Sequence, residues 1–195
     1  MTGMAICRMA VMQRITGRIG KNGMQKGSMH MNDRKMVLDG MMGLVVGDAL
    51  GCPVQFLDRE ELRERGAVTE MEGYGTYNMP PGTWTDDSSM ALATLASINE
   101  RNCIDLRDIM ERFLDWEFHG AYTPFGEAFD EGNTCSNAIY KYRDDHDLTT
   151  CGETDEYSNG NGALMRILPV CLYFIQKEGI SDADALRQIH LATGL

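Results

Sequence analysis

Thr85, Asp86 and Asp87 stand together between a Pro80-Pro81-Gly82 breaker and a run that turns helical. After Asp87, the positions Met90, Ala91, Leu92, Leu95, Ala96 and Ile98 form a broad apolar stripe of helical period. A hydroxyl and two adjacent carboxylates therefore arrive at a helix entrance. Inside a regular helix, neighbours at i and i+1 point about 100° apart and cannot share one ligand. At an irregular entrance they can turn towards one spot, or towards two ions about 3.5–4 Å apart. Oxygen-only donors of this kind suit Mg²⁺ or Mn²⁺ rather than zinc. The same residues also read as ordinary N-capping, because a side-chain oxygen can accept from the free N–H groups and anions suit the dipole. This stretch alone leaves both readings open.

The elements around it are helical. Residues 39–50 read as a helix buried nearly all round, with Met41, Met42, Leu44, Val45, Val46, Ala49 and Leu50. Gly40, Gly43 and Gly47 share one face of it. Three glycines there suggest close approach of a helix or a ligand, and close packing is the expectation for Gly43. Asp48 is a lone acid in this apolar run and needs a partner or a polar cleft. Further helices are expected at 60–65, 87–99, 106–118 and 134–143, with a small extended segment at 68–77. Residues 120–132 and 144–159 read as loops. Gly160-Asn161-Gly162 then opens an apolar helix that Pro169 should kink. A Gly-rich helix entry can receive a phosphate, although glycine there is mostly geometry. Arg166 in that helix calls for an anionic partner. Ser181 and Asp184 start a last helix at 182–192. At least five helices and almost no alternating pattern make the chain all-α.

Composition narrows the class. The 195 residues are 43% apolar and 24% charged, enough for one domain with a sizeable core. A net charge of −11 argues against a nucleic-acid surface. No run of 18 uncharged apolar residues exists, so no membrane span is expected. The six cysteines lie apart without a C-x-x-C pair and read as reduced thiols of a cytoplasmic protein. Residues 1–36 carry +6 and the rest −17. Residues 1–35 form a basic Met- and Gly-rich extension, expected to be disordered, ahead of a domain at 36–195.

With these pieces placed, the chain resembles the ADP-ribosylglycohydrolase family. The matching motifs are Gly40-x-x-Gly43-x-x-x-Gly47-Asp48-Ala49-Leu50-Gly51 and Gly82-x-Trp84-Thr85-Asp86-Asp87-Ser88-Ser89-Met90. Phe129-Asp130-x-Gly132-Asn133-Thr134 and Gly160-Asn161-Gly162-Ala163-Leu164-Met165-Arg166-x-x-Pro169 follow in the family's order. The resemblance implies a compact, multi-helix all-α domain with a dinuclear Mg²⁺ or Mn²⁺ centre in a cleft. It implies hydrolysis of the glycosidic bond at ribose C1 of ADP-ribosyl groups, on a protein or on a small ADP-ribose conjugate. By motif, Thr85, Asp86 and Asp87 would be metal ligands. Asp130 and Asp87 would be the catalytic carboxylates, Asp130 near the ribose and the bridging water. Gly160, Asn161 and Gly162 would lie along the diphosphate, and Asp48 would support the site.

One departure bears on activity. The family draws its remaining metal ligands from a later Asp-x-Asp-[Ser/Thr] motif, which this sequence does not contain. The expectation is an incomplete form of the domain, truncated at its C-terminus, with apolar surface exposed where later helices dock. The alternatives to a hydrolase are a non-catalytic module that binds ADP-ribose or protein, or an inactive truncated product.

Overall fold

The computed structural model describes residues 31–195, and among them eight α-helices carry the chain. They are α1 (Met31–Gly51), α2 (Arg59–Arg65), α3 (Asp86–Arg101), α4 (Leu106–His119), α5 (Asn133–Asp145), α6 (Gly162–Arg166), α7 (Leu168–Ile175) and α8 (Asp182–Thr193). The described residues contain no strand, which agrees with the all-α expectation. Residues 1–30 of the expected extension lie outside the described residues, and 31–35 form the first turns of α1.

Helix α3 is the centre of the packing. Its Ala91, Leu92 and Leu95 meet Met41, Val45 and Ala49 of α1, with Trp84 and Leu172 closing the cluster. On another face its Met90 and Ala93 pack with Ile109, Met110, Phe113 and Trp116 of α4 and with Ile139 and Tyr142 of α5. Ile98 meets Val170 of α7 and Ala192 of α8. Small residues at 91 and 93 let two helices approach α3 closely. Burying each Leu, Ile or Met side chain contributes about 1.5–3 kcal/mol. Even polar residues of α3 are buried, and Ser89 and Thr94 return their hydroxyls to the carbonyls of Thr85 and Met90 at 2.8 and 2.9 Å.

Several expectations change. Only Met41, Val45 and Ala49 of α1 are fully buried, so the helix presents one apolar stripe to the core rather than its whole circumference. Nothing lies within 4 Å of where a Cβ on Gly43 or Gly47 would stand, so helix packing does not require glycine at either; Gly47 borders a cavity beside Asp48, and a Cβ on Gly40 would meet Leu172 Cδ1 at an ordinary 3.4 Å. By length and composition Arg34–Val54 is apolar enough to cross a membrane, which sequence reading did not anticipate. In this fold its Met41, Val45 and Ala49 stripe packs on α3, and Asp48 ties it to the start of that helix, while 28% of the span is buried. Pro169 does more than kink a single helix. Its missing N–H separates α6 from α7, and it occupies the first turn of α7, where proline is tolerated.

Residues 68–77 form no extended segment. Gly75 lies so close to the chain that a Cβ there would stand 1.9 Å from the Pro53 carbonyl oxygen. Thr76 N donates to that same oxygen at 3.2 Å, and the Thr76 hydroxyl donates to the Gln55 carbonyl. This loop clasps the 3-10 turn Cys52–Val54 that follows α1, and so fixes the residues after it. Ser181 and Asp105 cap α8 and α4 as their sequence positions predict. Leu164, Ile175, Leu186 and Leu191 on the last three helices are exposed.

Candidate functional site

The acidic turn is held from both sides. Gly82 takes φ +80°, and Trp84, 1% exposed, donates its ring N–H to the Tyr122 carbonyl at 3.1 Å. The chain then enters α3 with Thr85 as its N-cap, accepting from Asp87 N at 3.3 Å. The capping reading of this stretch is therefore realised in the geometry. A second helix completes it. Asp48, from α1, accepts from Thr85 N (3.0 Å), the Thr85 hydroxyl (2.9 Å), Ser88 N (3.1 Å) and the Ser88 hydroxyl. One carboxylate thus satisfies donors of the first turn of α3, which no intrahelical carbonyl can reach. Burial raises the Asp48 pKa, and the bonds from Ser88 and Thr85 work against that rise.

Asp130 arrives from the loop before α5. Its φ of +66° lies in the left-handed region, which non-glycine residues occupy at a cost. Two donors hold it there: Gln55 Nε2 at 3.0 Å and the Tyr77 hydroxyl, both on Oδ1. Burial, then the bond to Asp130, raises the Tyr77 pKa, so the phenol keeps its proton and remains a donor. Sequence reading missed Gln55 and Tyr77. Neither lies in a patterned element, and only the clasp of residues 73–79 on the 3-10 turn brings them to Asp130.

A cleft of about 350 Å³ opens between these parts. Asp86, Asp87 and Asp130 line it together with Gly160, Asn161 and Gly162, so the structure brings three separate stretches of expected site residues into one wall. Thr85 lies just behind, 3% exposed. A neighbouring cavity of about 450 Å³ is lined by Asp48, Cys52 and Leu164 and shares Asp87 with the first.

The Gly160-Asn161-Gly162 turn has a packing reason for its glycines. A Cβ on Gly162 would lie 2.1 Å from Cys135 Sγ, and one on Gly160 would lie 2.8 Å from Thr134 Oγ1. Both glycines let α6 press onto the start of α5. Gly162→Ala is expected to cost about 1–3 kcal/mol by overpacking. Cys135→Ala should recover most of that loss in the double variant, as read by urea unfolding; additive losses would show that the clash is not with the thiol. Among the described residues no Asp or Glu side chain pairs with Arg166. Its guanidinium donates to the carbonyls of Gly162 (2.9 Å) and Leu195 (3.0 Å) and lies 5.0 Å from the centre of the Phe113 ring.

The electrostatics of the cleft are one-sided. Its lining includes four carboxylates, Asp86, Asp87, Asp130 and Glu131, and no Lys or Arg. Among the described residues no ion pair includes any of them. Burial, then Asp130, Asp87 and Asp48, pushes Asp86 up to about 8. Burial, then Asp48 and Asp130, pushes Asp87 up to about 6. Like charges this close favour either a proton or a bound cation. Among the described residues no three His, Cys, Asp or Glu side chains form a ready-made metal cage. The donors at hand, two carboxylates and a hydroxyl, match what Mg²⁺ commonly takes from protein, the rest of its shell being water or substrate.

A family model described as ADP-ribosylglycohydrolase matches residues 29–194. The chain is 35% identical over 133 residues to ADP-ribosylarginine hydrolase Tri1 of Serratia proteamaculans, covering 68% of this chain and 35% of that protein. It is 38% identical over 136 residues to the ADP-ribosyl-[dinitrogen reductase] glycohydrolase of Rhodospirillum rubrum, covering 69% and 43%. A solved structure titled ADP-ribosylglycohydrolase-related protein complex superposes with a TM-score of 0.61 at 32% identity, covering 84% of this chain and 50% of that one. The chain thus spans half or less of each of these proteins.

Proposed function

The chain belongs to the ADP-ribosylglycohydrolase family, and we propose that it carries the hydrolytic cleft of an enzyme that removes ADP-ribosyl groups from a protein or a small conjugate. The observation that supports this most is the convergence of Asp86, Asp87 and Asp130 with the Gly160–Gly162 turn around one cleft. Glycoside hydrolysis needs a carboxylate to take a proton from water as positive charge grows at the sugar C1. Asp130 suits that task. Gln55 and Tyr77 both donate to Oδ1, and no described hydrogen bond occupies Oδ2, which is left to receive the proton. The acidic lining favours the positive charge that grows at ribose C1 in the oxocarbenium-like state.

Thr85, Asp86 and Asp87 would hold Mg²⁺ or Mn²⁺, and their uncompensated charge and all-oxygen donors fit such an ion. When bound, it would orient ribose hydroxyls and polarise water. Asp48 would keep Thr85 in place by taking its N–H and O–H. The turn Gly160-Asn161-Gly162 would lie against the diphosphate, whose charge the cation would balance in a cleft without basic side chains.

A second reading is binding of ADP-ribose without turnover, favoured by the lack of a three-carboxylate cage among the described residues. One experiment separates the two. Release of ADP-ribose from ADP-ribosylated protein is followed with Mg²⁺, Mn²⁺ or EDTA, alongside calorimetric binding of ADP-ribose. The hydrolase reading expects metal-dependent release and a loss of about 10²–10⁴-fold in Asp130→Asn with binding retained. Binding without release under any metal would support the module; neither would end both readings.

A further inference from the structure

Asp130 is held by one oxygen, and the way it is held makes its two oxygens unequal. Gln55 Nε2 donates to Oδ1 at 3.0 Å, and the Tyr77 hydroxyl donates to the same atom. A carboxylate only accepts, so the Gln55 amide turns its NH₂ group this way. Bringing Oδ2 to these donors would mean breaking both bonds at once. Tyr77 reaches Asp130 from behind: Asp130 lines the cleft, whereas Tyr77 does not. Its ring is set edge-on between those of Phe56 and Phe129, with centroids 6.3 and 5.4 Å away.

The loop that carries Tyr77 does not need this bond to stay in place. Thr76 already ties it to the Pro53 and Gln55 carbonyls, and Tyr74 N–H closes it on the Met79 carbonyl at 2.7 Å. Backbone strain gathers here as well. Asn102 and His146 take positive φ as helix C-caps. Phe56 (+65°), Tyr74 (+59°), Asn78 (+54°) and Asp130 (+66°) are not caps, and all four lie in the three loops that meet at Tyr77. Strain of this kind persists where the surroundings over-determine it, and it collects at functional sites. We infer that Tyr77 is a positioning residue for hydrolysis: with Gln55 it pins Asp130 by Oδ1 and so presents Oδ2 to the attacking water. This rests on the hydrolase reading of the cleft and adds to it the residues that set the geometry of its base. The competing role is a plain fastener between loops, whose loss would cost stability and leave the chemistry alone.

The test uses the full chain, ADP-ribosylated protein as substrate, and saturating Mg²⁺ or Mn²⁺. Tyr77→Phe removes the hydroxyl and keeps the ring; Gln55→Leu removes the other donor and serves as the second variant. Urea midpoints check that both fold. The expected result is a kcat about 10–100-fold lower in each variant, the cost of a misaimed base. In Tyr77→Phe, KM and the calorimetric affinity for ADP-ribose should stay at wild-type values. In an Asp130→Asn background, Tyr77→Phe should cost nothing further, because the group it acts through is gone. A wild-type kcat in Tyr77→Phe overturns the inference. So does a full additional loss in the double variant, or a fall in ADP-ribose affinity that matches the fall in kcat; either would make the bond a fastener. No release by wild type with either metal ends the hydrolase reading and this inference with it. Equal release by wild type and Tyr77→Phe ends only the role of Tyr77.

Discussion

Asp48→Ala is expected to destabilise the folded chain by about 3 kcal/mol, the largest effect of any single truncation near the site. The carboxylate accepts two backbone N–H groups and two hydroxyls of Thr85 and Ser88. Each donor left without an acceptor in a buried place costs about 1–3 kcal/mol, reduced wherever water enters. Against that loss stands the relief of a buried charge whose pKa burial has already raised. Four unsatisfied donors outweigh one relieved carboxylate, so the balance remains a loss. Asp48→Asn should do nearly as badly as Asp48→Ala, because its amide group turns donors towards donors. Asp39 offers the control: it is exposed on the same helix, and Asp39→Ala should change stability by less than about 0.5 kcal/mol. Urea unfolding of the three variants reads these differences. A wild-type midpoint for Asp48→Ala would mean that the clasp between α1 and α3 carries no stability.

The clasp shows what was legible in the sequence and what was not. A single acid in an apolar helix already demanded a partner, and Thr85-Asp86-Asp87 already marked a helix entrance. Local pattern sufficed for both, since capping and helical periodicity act within a few residues. That Asp48 and Thr85 meet depends on how α1 crosses α3, which side-chain packing decides over a separation of 37 residues. Most helices were found with ends shifted by a few residues, because frayed ends and caps extend beyond the apolar stripe, whereas α1 starts at Met31 rather than at 39 and the helix expected after Gly162 is divided into α6 and α7. The loop at 68–77 misled because its glycines serve contact with Pro53 and Pro81 rather than any extended pairing. Gly43 misled for the opposite reason: spacing places residues on one face without saying what lies opposite, which is open space at Gly43 and a cavity at Gly47. Gln55 and Tyr77 carried no local signal at all. Their roles exist only once the 3-10 turn, the clasping loop and the loop before α5 meet.

In EDTA the chain should lose stability as pH rises from 5 to 8, on the order of 3 kcal/mol, and saturating Mg²⁺ should restore much of it at pH 8 but little at pH 5. Asp86 contributes most of this loss. Its folded pKa stands at about 8, raised first by burial and then by Asp130, Asp87 and Asp48, whereas the unfolded chain releases that proton near 3.8. Between those values the folded state holds a proton that the unfolded state has given up, so stability falls with pH and levels off near 8. Asp87, at about 6, adds to the lower half of the same window. Three pH units at 1.36 kcal/mol per unit give about 4 kcal/mol for one fully buried group, which partial hydration lowers. The main opposing carboxylate, Asp108, does not interfere. Against the upward push of burial, bonds from Arg112, Ser97 and Arg101 hold it down at about 2, and its gain in stability is complete before pH 5. A cation bound by the ionised carboxylates stabilises the fold only where they are ionised, which is why its effect should grow with pH. Asp86→Asn should flatten the profile in EDTA and weaken the response to Mg²⁺, since it removes both the titrating proton and a ligand. Thermal melts at pH 5 and pH 8, with and without Mg²⁺, decide the matter. Stability in EDTA that rises or stays level over that range would show that the four carboxylates are not in fact confined together.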